Sequence, residues 1–69
     1  MKFNYSKLRG RIRECNLTQE QLAAVIGKNK ATLSAKLNGQ YAFTITEMLS
    51  IGAALNIPKN ELYNYFFAE

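Results

Sequence analysis

The chain has no histidine and no tryptophan, one cysteine and one proline among its 69 residues. Without histidine it lacks the side chain most used for proton transfer near neutral pH and for holding metals. A single cysteine, Cys15, cannot close an internal disulfide, and a lone thiol fits a reducing cytoplasm. Acidic residues are scarce. Glu14, Glu20, Glu47, Glu61 and Glu69 fall mostly on helix starts and exposed faces. No apolar run approaches the roughly 18 residues of a membrane helix. Met1 to Tyr5 show neither the apolar stretch nor the cleavage site of a secretion signal. There is no glycine-rich phosphate loop, no His/Cys metal set and no nucleophile with a base. These absences argue against an enzyme and against a cofactor, a bound metal, a small-molecule substrate or a membrane partner.

What is present is positive charge, unevenly placed. Residues 1–40 carry eight Lys or Arg against two Glu, whereas residues 41–69 carry one Lys against three Glu. The net charge of +4 therefore gathers in the first half, as expected of a face for an anionic partner. A chain this short makes one domain, residues 1–69, with a modest core.

The pattern reads as helices, with no sustained alternation to argue for strands. Tyr5, Leu8, Ile12 and Cys15 form one stripe of a first helix from about residue 5 to 15. Gly10 weakens it and would permit a close helix contact. Asn16 is a suitable stop, because asparagine tolerates a left-handed backbone. Thr18 and Gln21 make a capping box for a second helix to about Ile26, with Leu22, Ala23 and Ile26 inward. Gly27 ends it. Asn29 caps a third helix from Lys30 to Leu37 or Asn38, whose buried stripe is Leu33 and Leu37. Its other face carries Ala31, Thr32, Ala35 and Asn38, and Gly39 ends it. Thr44 and Glu47 make a second capping box. The fourth helix should turn Ile45, Met48, Leu49, Gly52 and Leu55 to the core. Pro58 suits the start of a last helix to about Phe66, burying Leu62 and Phe66.

The informative stretch is residues 18–39. Ala23 is small where a third helix would cross the second, Gly27 allows a sharp turn, and Leu33 fills the space between the pair. Here the sequence resembles the Cro and lambda-type repressors of bacteriophages and their bacterial relatives. The carrying residues are Leu17-Thr18-Gln19-Glu20-Gln21-Leu22-Ala23, Ile26-Gly27, Thr32-Leu33-Ser34 and Leu37-Asn38-Gly39. The segments from Thr44 and from Ala54 to Pro58 look like that family's fourth and fifth helices. The opening and the ending Tyr65-Phe66-Phe67 look like short regulators of Gram-positive phages.

The resemblance implies an all-α fold of five helices with a helix-turn-helix. It also implies a sequence-specific regulator of transcription, a repressor in the bacterial cytoplasm, bound to a double-stranded DNA operator. It places Lys30, Ala31, Thr32, Ser34 and Ala35 toward the bases. Lys30 then bonds guanine O6 and N7 or else touches phosphate. With two alanines at reading positions, DNA shape would carry part of the specificity. Gln19, Lys28, Asn29, Lys36, Asn38, Gln40 and Tyr41 are the candidates for the sugar-phosphate backbone. Asn29 as a plain cap and Tyr41 packed on the fourth helix are the bland alternatives, and Phe43 is expected to pack.

The family is usually apolar where Lys36 and Lys28 stand. Lys36 is expected to lay its stem on the core edge with its ammonium in solvent. Arg9, Arg11 and Arg13 span about 200° of the first helix, so they cannot all face DNA. Tyr63, Tyr65, Phe66 and Phe67 exceed what so small a core can bury. They are the candidate contact for a homodimer, at least on DNA. The competing reading is a protein-binding module on the same fold, an antitoxin or antirepressor that uses the aromatic tail.

Overall fold

The computed structural model describes residues 5–67. These form five α-helices and, among the described residues, no strand: α1 (Ser6–Glu14), α2 (Gln19–Val25), α3 (Lys30–Leu37), α4 (Ile45–Ala54) and α5 (Leu62–Phe66). The all-α expectation holds.

Local chemistry sets the boundaries. Thr18, Asn29 and Thr44 each accept a hydrogen bond from the backbone N–H three residues on, at 3.0, 2.8 and 3.1 Å. Gln21 and Glu47 return a side-chain oxygen to the Thr18 and Thr44 N–H groups, so both capping boxes are closed. The first four helices end alike. Each has one left-handed residue after its cap, namely Asn16, Gly27, Gly39 and Asn56, with φ of 57°, 68°, 83° and 56°. In each case two N–H groups fold back onto the last turn, as in Lys28 to the Ala23 carbonyl at 2.9 Å and Ile57 to that of Gly52 at 2.8 Å. Gly27 is needed for this conformation, not for space, since a Cβ there would meet nothing.

Two arginines of α1 serve the ends of other helices. Arg9 Nη2 donates to the Leu37 carbonyl of α3 at 3.2 Å. Arg11 Nε donates to the Leu55 carbonyl that caps α4, at 3.0 Å. Both satisfy orphan carbonyls at the negative end of a helix dipole. Cys15 Sγ donates to the same Leu55 carbonyl at 3.7 Å.

Leu8, Leu22, Leu33, Ile51, Leu55 and Phe66 are fully buried, and Ile12, Ala23, Leu37, Phe43 and Ile57 join them. Phe43 lies edge-on to Tyr5 and Phe66, with centroids 5.5 and 5.2 Å apart. Burial raises the Tyr5 hydroxyl above its ordinary pKa.

Four expectations are corrected. Ile45 and Leu49 are not core: they are 74% and 45% exposed. The buried arc of α4 runs instead through Glu47, Ile51, Gly52 and Leu55. Its flanks are fixed by Lys36 of α3 at Glu47 and by Leu62 of α5 over Gly52, which leaves residues 45, 49 and 53 on the outer edge. Gly10 makes no close helix contact; a Cβ there would meet nothing. The close approach is at Gly52, where a Cβ would stand 2.5 Å from Leu62 Cδ2. The last helix does not run unbroken from Pro58. A 3-10 turn over Lys59–Glu61 precedes α5, so that the chain turns before Leu62 can reach Gly52.

The fourth correction is Lys36. It is 8% exposed, and its ammonium is not in solvent. Its Nζ lies 2.7 Å from Glu47 Oε1, donates to the Ala42 carbonyl at 3.3 Å, and stands 5.8 Å from the Phe43 ring. Burial acts to raise the Glu47 carboxyl pKa. The bond and charge of Lys36 and the Thr44 donors outweigh it and hold that pKa below its ordinary value.

Candidate nucleic-acid interface

The turn at Gly27 and the buried pair Leu33 and Leu37 seat α3 on α2, with the opposite side of α3 outward. Lys30 and Ala31 are exposed there; Thr32, Ser34 and Ala35 are half-exposed. Ala31, Ala35 and Asn38 follow one helical stripe. Apart from Lys30, the side chains on this face are short.

Positive groups stand on both flanks. On one side Lys28, Thr32, Lys36, Tyr41 and Ala42 line an open groove. Lys28 and Tyr41 are exposed, and so is Gln40 beyond the helix end. Tyr41 is 64% exposed and is not packed on α4. Lys36 contributes only its stem, because its charge is spent on Glu47. On the other side Arg9, Ile12, Arg13, Leu17 and Gln19 line a second cleft, between α1 and the start of α2. Asn38 meets this side: its Oδ1 accepts from Arg9 Nη2 at 2.8 Å. Asn29 is exposed and acts as the α3 cap.

The residues singled out in the sequence thus divide. Lys30, Ala31, Thr32, Ser34 and Ala35 share one face, with Lys28 and Tyr41 at one flank, Gln19 and Asn38 at the other, and Gln40 exposed beyond the helix end. Lys36 is withdrawn from the surface. Arg9 was not separable from Arg11 and Arg13 by sequence. Its place is set by partners 28 and 29 residues away, for which no local signal exists.

The aromatic tail also divides. Phe66 is 1% exposed and belongs to the core, which corrects its assignment to a dimer contact. The Phe43 ring makes room for it edge-on. Tyr65 is half-buried under Lys7, whose Nζ is 4.8 Å from the ring centroid. Only Tyr63 and Phe67 face outward, with their rings 4.7 Å apart. Among the described residues no three His, Cys, Asp or Glu gather where they could hold a metal ion. No helix among them is long and apolar enough to cross a membrane.

Comparison with known proteins finds similar chains. The solution structure of the modulator of repression (MOR) of the temperate bacteriophage TP901-1 from Lactococcus lactis matches with a TM-score of 0.78. It is 33% identical over 97% of this chain and 90% of that one. The present chain is thus similar in fold and sequence to a small phage regulatory protein. A cyanate hydratase from Laccaria bicolor is 41% identical over 46 residues, which are 67% of this chain but only 28% of that protein. The family described as "Protein of unknown function (DUF739)" matches residues 1–69 throughout, and the chain belongs to it.

Proposed function

We propose that this protein is a sequence-specific regulator of transcription, of the Cro and lambda-type repressor kind. In this reading it is not an enzyme, and α3 lies in the major groove of double-stranded DNA. The carrying observation is the outward face of α3. Its side chains are short or polar from Lys30 to Ala35, and cations stand at both flanks. A major groove about 12 Å wide admits one helix and presents a phosphate strand on each side. Lys30, at the first position of α3, is the group for guanine. The Thr32 methyl, Ala31 and Ala35 suit thymine methyls. Ser34 donates or accepts, and Gln19, Lys28, Gln40 and Tyr41 serve the backbone. The likeness to a phage protein named for repression supports the regulatory part of this reading. In this reading the protein works in the bacterial cytoplasm. A homodimer on DNA uses Tyr63 and Phe67, the outward pair of the tail.

The test is binding to random duplex DNA at two salt concentrations, followed by selection of sites from a random pool. A DNA reader loses affinity steeply with salt, with a log–log slope of about −0.9 per phosphate contacted. A palindromic selected site reports the two-fold dimer. Absence of binding even at low salt would overturn the reading.

One observation favours a second reading, a regulator that binds protein. Ile45 and Leu49 expose apolar surface on α4, where a DNA reader needs none. Without duplex binding, this reading takes over.

A further inference from the structure

The cleft between α1 and the start of α2 is lined by Arg9, Ile12, Arg13, Leu17 and Gln19. Two guanidiniums and one amide border it, and no carboxylate does. Its volume is about 180 Å³. The apolar floor of Ile12 and Leu17 cannot hold water well, while the rim offers donors.

The two arginines are prepared differently. Arg9 Nη2 gives both of its hydrogens to α3, one to the Leu37 carbonyl and one to Asn38 Oδ1. Its Nε and Nη1 groups retain three donors. The guanidinium is thus fixed by its far edge, with its near edge available. Arg13 lies four residues on, one turn away on the same face, and is exposed. Among the described residues its guanidinium has no hydrogen bond or ion pair, since the nearby Glu14 is turned to Arg11 at 3.7 Å. Asn38 belongs to the outward stripe of α3 with Ala31 and Ala35, so Arg9 brings its charge to the edge of the reading face.

The geometry points to this cleft as a seat for one DNA phosphate, held by Arg9 and Arg13 with Gln19 beside them. The assignment rests on the DNA-binding reading and sharpens it. Arg9 joins the phosphate to the last turn of α3, so backbone contact fixes how that helix sits in the groove. Arg11 has no part in it, because its Nε is spent on α4.

The experiment measures affinity for a random duplex as a function of salt for the intact protein, Arg9→Gln, Arg13→Gln and Lys59→Gln. In the intact protein, inorganic phosphate and a glutamate-rich peptide are also titrated while the arginine Nε–H resonances are followed by NMR. Arg9→Gln and Arg13→Gln should each lower the slope, by up to about 0.9 for the one phosphate they share, and Lys59→Gln should not. Inorganic phosphate should shift the Arg9 and Arg13 signals and leave that of Arg11. Arg13→Gln removes no bond to a described residue, so it tests the seat even if Arg9→Gln loosens α3. A steep slope left unchanged in Arg13→Gln overturns the seat and leaves the DNA reading standing. No duplex binding, with the peptide shifting the same signals, overturns both and makes the occupant an acidic protein segment.

Discussion

Helices α3 and α4 are neighbours of similar length, begun by the same kind of cap and ended by the same kind of turn. Their outward faces differ. The outer side of α3 carries Lys30, Ala31, Thr32 and Ala35, all short, polar or charged. The outer edge of α4 carries Ile45, Leu49 and Ala53, with no charge at all. The framework needs neither set, since both lie outside the core. The contrast therefore concerns partners. A short, polar face flanked by cations suits a wet, anionic surface, whereas an apolar edge suits an apolar one.

The two helices are tied by the buried pair Lys36 and Glu47, and cutting it should have the largest effect. Lys36→Ala leaves the Glu47 carboxylate buried without its partner, a loss of about 3–5 kcal/mol. That is comparable to the whole stability of a core this size. Urea denaturation should find Lys36→Ala largely unfolded. Lys36→Met with Glu47→Gln should fold nearly as well as the parent, because the glutamine amide oxygen still accepts from the Thr44 N–H. Acid separates the two further. The Glu47 carboxyl is held below its ordinary pKa of 4.5, so its contribution is present above that pH and is lost as pH falls through the lowered value. The parent should weaken below about pH 4.5 more than the double variant does. Equal acid sensitivity would show that the pair contributes nothing.

Lys30→Ala tests the α3 face alone. If Lys30 reads guanine, the variant loses about 1–3 kcal/mol on the selected site and relaxes one base pair. Its folding stability should not move. Equal weakening on every sequence would reduce Lys30 to a phosphate contact.

Gly27→Ala should cost about 1–2 kcal/mol of stability, from the left-handed backbone at φ 68° alone, because the new methyl meets nothing. Thermal unfolding would measure it. Gly10→Ala, in α1 with equal space and an ordinary φ, should instead stabilise by up to about 1 kcal/mol.

These variants also mark what the sequence disclosed. Caps and stops were legible because they are local: Thr18, Asn29, Thr44, Asn16, Gly27 and Gly39 act within four or five residues of themselves. The second, third and fourth helices followed, and with them the face of α3. Lys36, Ile45, Leu49 and Arg9 were not legible, since each is placed by an element far along the chain. Periodicity gave α4 an apolar arc wider than its two neighbours cover. It could not say that Leu62 would settle on Gly52 and leave Ile45 outside. Asn56 repeats the device of Asn16 and is just as local, yet it went unused as the stop of a fourth helix read to about Leu55.

The smallest expected effect is on α4. Ile45 is exposed in the folded chain, so replacing it removes little buried area, and Ile45→Gln should change stability by no more than about 0.5 kcal/mol. The same variant should bind duplex DNA as the parent does, since Ile45 lines neither cationic groove beside α3. The measurement is urea unfolding beside a DNA titration. A loss above 1 kcal/mol would mean that this edge is covered within the protein itself, and the contrast between the two faces would vanish. Unchanged stability with weakened DNA binding would move the reading surface toward α4. Only if both stay constant does the apolar edge remain a face with a purpose separate from α3.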